Sequence, residues 1–324
     1  MKHIFILNPA AGRGIEFQKT KDKIHDACEA AKADYLIHVT ECPDDATAFV
    51  KRTAAAKPAG ETYRFYACGG DGTLNDVVCG VIDPSSGTPF PGIEVGCIPI
   101  GTGNDFVRNF TAPDFFLDIT KQILGETITI DCFAINDRYV VNMVNVGFDC
   151  DVVTKTEELR KKKWIPKKMT YVAGLIVTLK KNLGRVITVI RSDGQEIKKE
   201  FELCAVANGG FCGGGFHSAP ESKLDDGLLD ISLIDKVSRT KFLSLVGNYK
   251  KGTHLNTKLG KKIVSYFQDH KITFRFAEPS TVCIDGEVET VKEAIFRVIP
   301  KALKFSLPVG VSYAGGVKTE FAKA

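Results

Sequence analysis

Up to about residue 125, short apolar runs alternate with amphipathic stretches. HIFIL, YLIHV, RFYAC and EVGCIPI read as buried strands, and residues 16–33, 44–57, 74–82 and 113–125 read as helices. Alternation on this scale predicts a parallel sheet with helices on both faces. From Thr127 onward the texture changes to long strand-like segments: TITIDCFAI, RYVVNMVNVGF, RVITVIRS, EIKKEFELCAVAN, LLDISLI, KITFRF and TVCIDGEVE. Turn signals such as Asn136-Asp137 and Asp193-Gly194 separate some of them, and two helical insertions, 151–182 and 238–255, interrupt the series. This half predicts an antiparallel sandwich or barrel. The final segment, VIPKALKFSLPVG, is apolar enough to pack as a strand of the first domain. The expected class is therefore α/β plus all-β, with one domain over 1–128, joined by 304–324, and a second over 129–303.

Composition narrows the class only a little. In 324 residues, 44% are hydrophobic and 25% charged, an ordinary globular balance, and a formal charge of +4 is too small to imply nucleic acid. The ten cysteines are scattered singly, without C-x-x-C pairs, so neither a disulfide framework nor a zinc site is expected, and Cys68, Cys97, Cys132 and Cys204 read as core residues. This cysteine usage and the absence of a signal-like start predict a cytoplasmic protein. The longest apolar run, YVAGLIVTL, falls well short of the ~20 residues of a spanning helix.

Two glycine-rich turns carry the chemistry, CGGDGTLND at 68–76 and PIGTGNDF at 99–106, each directly after an apolar strand. Bare backbone at the carboxyl ends of parallel strands is where open α/β sheets bind phosphorylated ligands. A simple Asp-Gly turn fits either segment alone, but the near-repetition after successive strands argues for a phosphate site. Asp71 and Asp105 lie inside the turns, where a carboxylate beside a polyphosphate calls for a divalent cation between them. A third segment, NPAAGRG at 8–14, follows the first strand and taken alone fits a plain turn equally well.

Taken with GGGFHSAPESKLDDGLLDI at 213–231 and IDGE at 284–287, these segments make an ordered set that closely resembles the soluble bacterial diacylglycerol kinases. That branch of lipid kinases also includes the sphingosine kinases. The resemblance runs from Asn8 to Glu287. It implies a Rossmann-like first domain and a β-sandwich second domain, with ATP in the cleft between them. It also implies nucleotide contacts at Asn8, Pro9, Ala10, Ala11, Gly12, Thr40, Gly69, Gly70, Asp71, Gly72, Thr73, Leu74, Asn75 and Thr102. Ala11 stands where the family often has serine, so a hydroxyl contact is absent there. The same resemblance implies a structural Mg²⁺ held by the Asp226 carboxylate and the main-chain carbonyls of Lys223 and Leu228, and it makes Glu287 the general base. Asp71 and Asp105 would join the magnesium and water network around ATP. From the residues alone, KLDDG fits a hairpin turn and Glu287 a surface glutamate after an Asp-Gly pair.

The expected partner is a lipid substrate at a membrane surface, with phosphoryl transfer from ATP to the free hydroxyl of diacylglycerol. The dense basic run Arg160–Lys168, with Trp164 inside it, suits an anionic bilayer surface and equally a solvated helical face. The family resemblance points to a homodimer. Other acceptors, a sphingoid base, phosphatidylglycerol or NAD, remain open, as does an inactive nucleotide- or lipid-binding regulator. None of the six histidines falls in a metal or triad pattern.

Overall fold

In the computed structural model the described residues are 1–14, 16–148, 150–152, 154–155, 184–313 and 315. The basic run Arg160–Lys168 and most of the predicted insertion 151–182 lie outside them. The chain divides into two compact units, one of Met1–Cys132, Lys223–Gly227 and Ile299–Ala324, the other of Phe133–Ser222 and Leu228–Val298.

In the first unit, β1 (Lys2–Leu7), α1 (Phe17–Ala31), β2 (Asp34–Val39), α2 (Asp45–Ala55), β3 (Tyr63–Gly69) and α3 (Asp71–Val81) follow one another. A short hairpin, β4 (Ile82–Asp83) with β5 (Thr88–Pro89), leads to β6 (Ile93–Pro99) and α4 (Ile119–Ile123). The strands are parallel, in the order β6-β3-β1-β2. Fully apolar strands need cover on both faces, and the helices supply it. Thr20, Ile24 and Cys28, four residues apart, form the buried stripe of α1, and Ala46, Val50 and Ala54 do the same for α2. Gly80 of α3 has no room for a side chain, because a Cβ there would lie 2.7 Å from Val50.

Two predicted elements change shape. The helix expected over 113–125 is a 3₁₀ turn, Pro113–Leu117, followed by the five-residue α4, because Asp118 leaves helical geometry and its side chain instead accepts from the Lys121 amide. The helix after the first glycine turn begins at Asp71, three residues before the expected Leu74, with Gly70 as its N-cap.

Strand β7 (Glu126–Ile135) opens the second half of the chain, and its last residues pair with β8 (Arg138–Val140). Then come β9 (Met143–Gly147), β10 (Arg185–Arg191), β11 (Glu196–Ala207), a two-strand ribbon of β12 (Phe211–Cys212) and β13 (Phe216–His217), and β14 (Leu229–Asp235). Helices α5 (Arg239–Lys250) and α6 (Gly260–Ile263) precede β15 (Val264–Asp269), β16 (Lys271–Ile284) and β17 (Glu287–Leu307). Pairing in the second unit is antiparallel, as patterned strands joined by tight turns require. β10 and β9 both lie between β11 and β16, and their inward residues Val144, Val146, Ile187 and Val189 join Cys204, Val206, Ile231, Phe274 and Ile284 in one core. The single strand expected over RYVVNMVNVGF is broken at Val141-Asn142, where Asn142 turns its amide to the Phe211 carbonyl. β15 was not expected, since VSYFQD is only half apolar. The strand expected over TVCIDGEVE turns at Asp285-Gly286, so its first half ends β16 and its second half runs on into the final segment as the 21-residue β17. Its end adds to the first unit, where Phe305 lies in parallel register with Val95 of β6.

Candidate functional site

The three glycine segments of the first unit leave the carboxyl ends of β1, β3 and β6, which are neighbours, and they touch one another. Gly101 donates its backbone N–H to Gly69 O at 3.1 Å. A Cβ on Gly101 would come within 2.4 Å of the Gly70 Cα, and one on Gly12 within 2.4 Å of the Ile100 carbonyl oxygen. These glycines are therefore needed for loop to pack on loop, and only Gly12, at φ 55°, also needs its left-handed backbone. Asn8 ties the first loop to the second: its Nδ2 donates to Thr73 Oγ1 at 3.1 Å, while its Oδ1 accepts from the Ala10 amide. Thr40 follows β2 and continues the ladder through its N–H to Leu7 O.

At the centre is Asp71, the first residue of α3. Its Oδ1 accepts from the Asp105 and Phe106 amides at 2.8 and 3.0 Å, so it clasps the second glycine turn. Burial raises its pKa above the usual carboxylate range, the nearby Asp105 charge raises it further, and the two amides work against both. Asp105 in turn meets Arg108 at 3.3 Å. The first-turn amides of α3 open toward the same loops, and a helix of eleven residues directs positive potential there. Thr73, Leu74 and Asn75 are buried and support the turn from beneath, whereas Thr102 is exposed.

Of the expected metal residues, Lys223 and Asp226 lie in the first unit and Leu228 in the second, as does Glu287. Lys223 and Asp226 are exposed, and Gly227 takes φ 74°. The loop is held by a residue that sequence reasoning passed over, Asp131 of β7. Its Oδ2 accepts from the Gly227 amide at 2.7 Å and its Oδ1 from the Lys301 amide at 2.6 Å. Tyr313 adds a hydroxyl that accepts from the Leu224 amide. Burial raises the Asp131 pKa, and the charges of Asp226 and Asp225 add to the rise. The only signal in the sequence was an acid inside an otherwise apolar strand. Among the described residues no group of three or more His, Cys, Asp or Glu side chains is arranged to hold a metal. A shell of one carboxylate and main-chain carbonyls forms no such group, and the crowding of acidic charge in an all-oxygen setting fits Mg²⁺.

In the second unit, the tight turn Asp285-Gly286 presents Glu287, with φ 44° and 98° at its two residues. Asp285 is buried and its Oδ1 accepts from the Met143 amide at 2.9 Å. Glu287 is half exposed and its Oε2 is ion-paired with Arg138 Nη2, a partner that no sequence signal announced. His217, in the glycine-rich segment GGGFHSAP, is buried and stacked on Phe211.

Comparison with known proteins divides the chain into two matched domains. Residues 2–135 match the diacylglycerol kinase catalytic domain, and residues 142–307 match the YegS C-terminal NAD kinase beta sandwich-like domain. The chain therefore belongs to the diacylglycerol kinase and YegS family of lipid kinases. It is 28% identical over 290 residues to a diacylglycerol kinase of Bacillus subtilis (strain 168), covering 87% of this chain and 88% of that one. It is 29% identical over 292 residues to a protein of Yersinia enterocolitica called "Probable lipid kinase YegS-like", covering 86% and 89%. A crystal structure from Bacillus anthracis str. Sterne shares the fold at a TM-score of 0.73 and 23% identity, over 94% of both chains. No helix among the described residues is long and apolar enough to cross a membrane.

Proposed function

We propose that this kinase transfers the γ-phosphoryl group of ATP to the free hydroxyl of diacylglycerol, giving phosphatidic acid. The observation that carries the reading is the joining of three side-chain-poor loops at adjacent strand ends, clasped by Asp71 beneath the amino terminus of α3. Such a cradle offers backbone amides and helix potential to a triphosphate. Asn8 to Gly12, Thr40, Gly69 to Asn75 and Thr102 hold the nucleotide. Asp226, with the carbonyls of Lys223 and Leu228, holds the structural Mg²⁺, and Asp71 and Asp105 join the water network toward ATP. A cation held there would neutralise charge that builds on the phosphates during transfer.

The acceptor oxygen attacks the γ-phosphorus, its proton passes to Glu287, and the bond to the β-phosphate oxygen breaks so that ADP leaves with the electron pair. Positioning and charge neutralisation dominate this reaction, so a weakly basic carboxylate suffices. The enzyme works from the cytosol as a homodimer, meeting an anionic bilayer through Arg160–Lys168. Gln in place of Lys161, Lys162 and Lys163 then weakens sedimentation with anionic vesicles at low salt.

The deciding experiment is incubation with γ-labelled ATP and, separately, diacylglycerol, a sphingoid base, phosphatidylglycerol and NAD. Label in phosphatidic acid supports the reading, and label only in another acceptor reassigns the substrate. ATP binding without transfer to any acceptor points to a regulator. Glu287→Gln lowers turnover by ~10² to 10⁴ while ATP still binds.

A further inference from the structure

The Arg138–Glu287 pair is built more firmly than an ordinary surface ion pair. Arg138 opens β8, directly after the turn Asn136-Asp137. Asn136 takes a left-handed φ of 50° and is fastened to β17 three times. Its amide donates to Ile295 O at 2.9 Å, its Nδ2 donates to Glu293 O at 3.2 Å, and its Oδ1 accepts from the Ile295 amide at 3.0 Å. The β7–β8 hairpin is thus pinned to the strand that begins with Glu287. From the other side, Asp285 fixes the turn before Glu287 to β9 through its own amide and its carboxylate, both to Met143. Arg138 and Glu287 are held at both backbones, 149 residues apart in sequence, so little chain entropy is lost when their side chains meet.

An exposed ion pair contributes little to stability. Stability is a poor reason for this much anchoring. Arg138 Nη2 engages Oε2 and leaves Oε1 of the same carboxylate for a hydroxyl, so a planar donor held at its backbone can orient a base.

We propose that Arg138 is a positioning residue for phosphoryl transfer, holding the Glu287 carboxylate in the orientation that receives the acceptor proton. This rests on the reading of Glu287 as the base.

The test is steady-state kinetics of the full chain with diacylglycerol in mixed micelles, for Arg138→Met, Arg138→Lys, Glu287→Gln and the double variant Arg138→Met with Glu287→Gln. Arg138→Met lowers kcat by ~10- to 100-fold, the range seen when an orienting partner is lost, and leaves the KM for ATP in place. Arg138→Lys recovers part of that loss. In the double variant the loss stops at the level of Glu287→Gln, since residues that act as a unit are not additive. Arg138→Gln replaces the Met variant should the latter not fold. The inference is overturned if Arg138→Met stays within twofold of the parent, if its effect multiplies with that of Glu287→Gln, or if the loss falls on the KM for ATP. Near-normal turnover in Glu287→Gln overturns the base reading itself, and this inference with it. A large loss there with none in Arg138→Met sinks this inference alone.

Discussion

Asp71 accepts the Asp105 amide at 2.8 Å across a gap of thirty-four residues, so the acid of one glycine turn is the clasp of the other. The carboxylate is set for two tasks that pull against each other: it holds a loop, and it keeps a negative charge where burial and Asp105 disfavour one.

That conflict makes Asp71→Asn informative. The carboxamide oxygen still accepts both amides while the charge is gone. A carboxylate whose folded pKa is raised binds more protons in the folded than in the unfolded state between the ordinary and raised values, so its contribution to stability falls as pH rises through that interval. The variant is therefore expected to melt higher than the parent at neutral pH, by ~2–4 °C for each kcal/mol relieved, and to lose phosphoryl transfer from ATP. Differential scanning calorimetry and a kinase assay on the same sample check both halves; a lower Tm would show that the charge itself is stabilising.

Gly101→Ala tests the loop contact without touching a polar group. Its Cβ would fall 2.4 Å from the Gly70 Cα, and backbone cannot swing away as a side chain can. The expected cost is ~1–3 kcal/mol, seen as a lower denaturation midpoint, with weaker ATP binding by calorimetry. Gly247→Ala in α5, with nothing within 4 Å of the added Cβ and no positive φ, is the control for the added methyl alone.

Magnesium should stabilise the protein in the absence of nucleotide. Burial raises the Asp131 pKa, the charges of Asp226 and Asp225 raise it further, and a cation beside them would relieve that added repulsion. At ten times its dissociation constant, Mg²⁺ adds ~1.4 kcal/mol, a rise of a few degrees in Tm. Asp226→Asn abolishes the rise; if it persists in that variant, the cation is held elsewhere.

Acid should destabilise the second unit. His254 is fully buried, neither ring nitrogen has a hydrogen-bond partner, and burial lowers its pKa to about 4, with the His217 charge adding to the drop. The unfolded chain binds that proton below about pH 6.5 and the folded chain does not until about pH 4, so stability is lost as pH falls through this window. His254→Leu moves the acid transition to lower pH in circular dichroism titrations. Glu202, buried at a bulge of β11 and raised to about 7 chiefly by burial, acts in the opposite sense: its contribution is lost as pH rises from the ordinary carboxylate value toward 7.

The ten cysteines show how far composition alone reaches. Cys68, Cys97, Cys132 and Cys204 are buried, as their apolar strand positions implied, and burial pushes up their thiols. Period and turn chemistry likewise announced the parallel strands, the glycine turns after β3 and β6, and the Asp-Gly turn before Glu287, because each is decided within about ten neighbouring residues.

What local sequence did not contain was the partner of each polar group. Asp131 reads as an oddity in an apolar strand until Gly227 and Lys301 arrive from residues 96 and 170 positions later to use both its oxygens. Arg138 reads as a surface cation until Glu287 meets it. Strand runs and turns are set by propensities and side-chain period, which a short window carries. Hydrogen-bond and charge partners are set by which distant segments the folded chain brings together, and only the tertiary structure decides that.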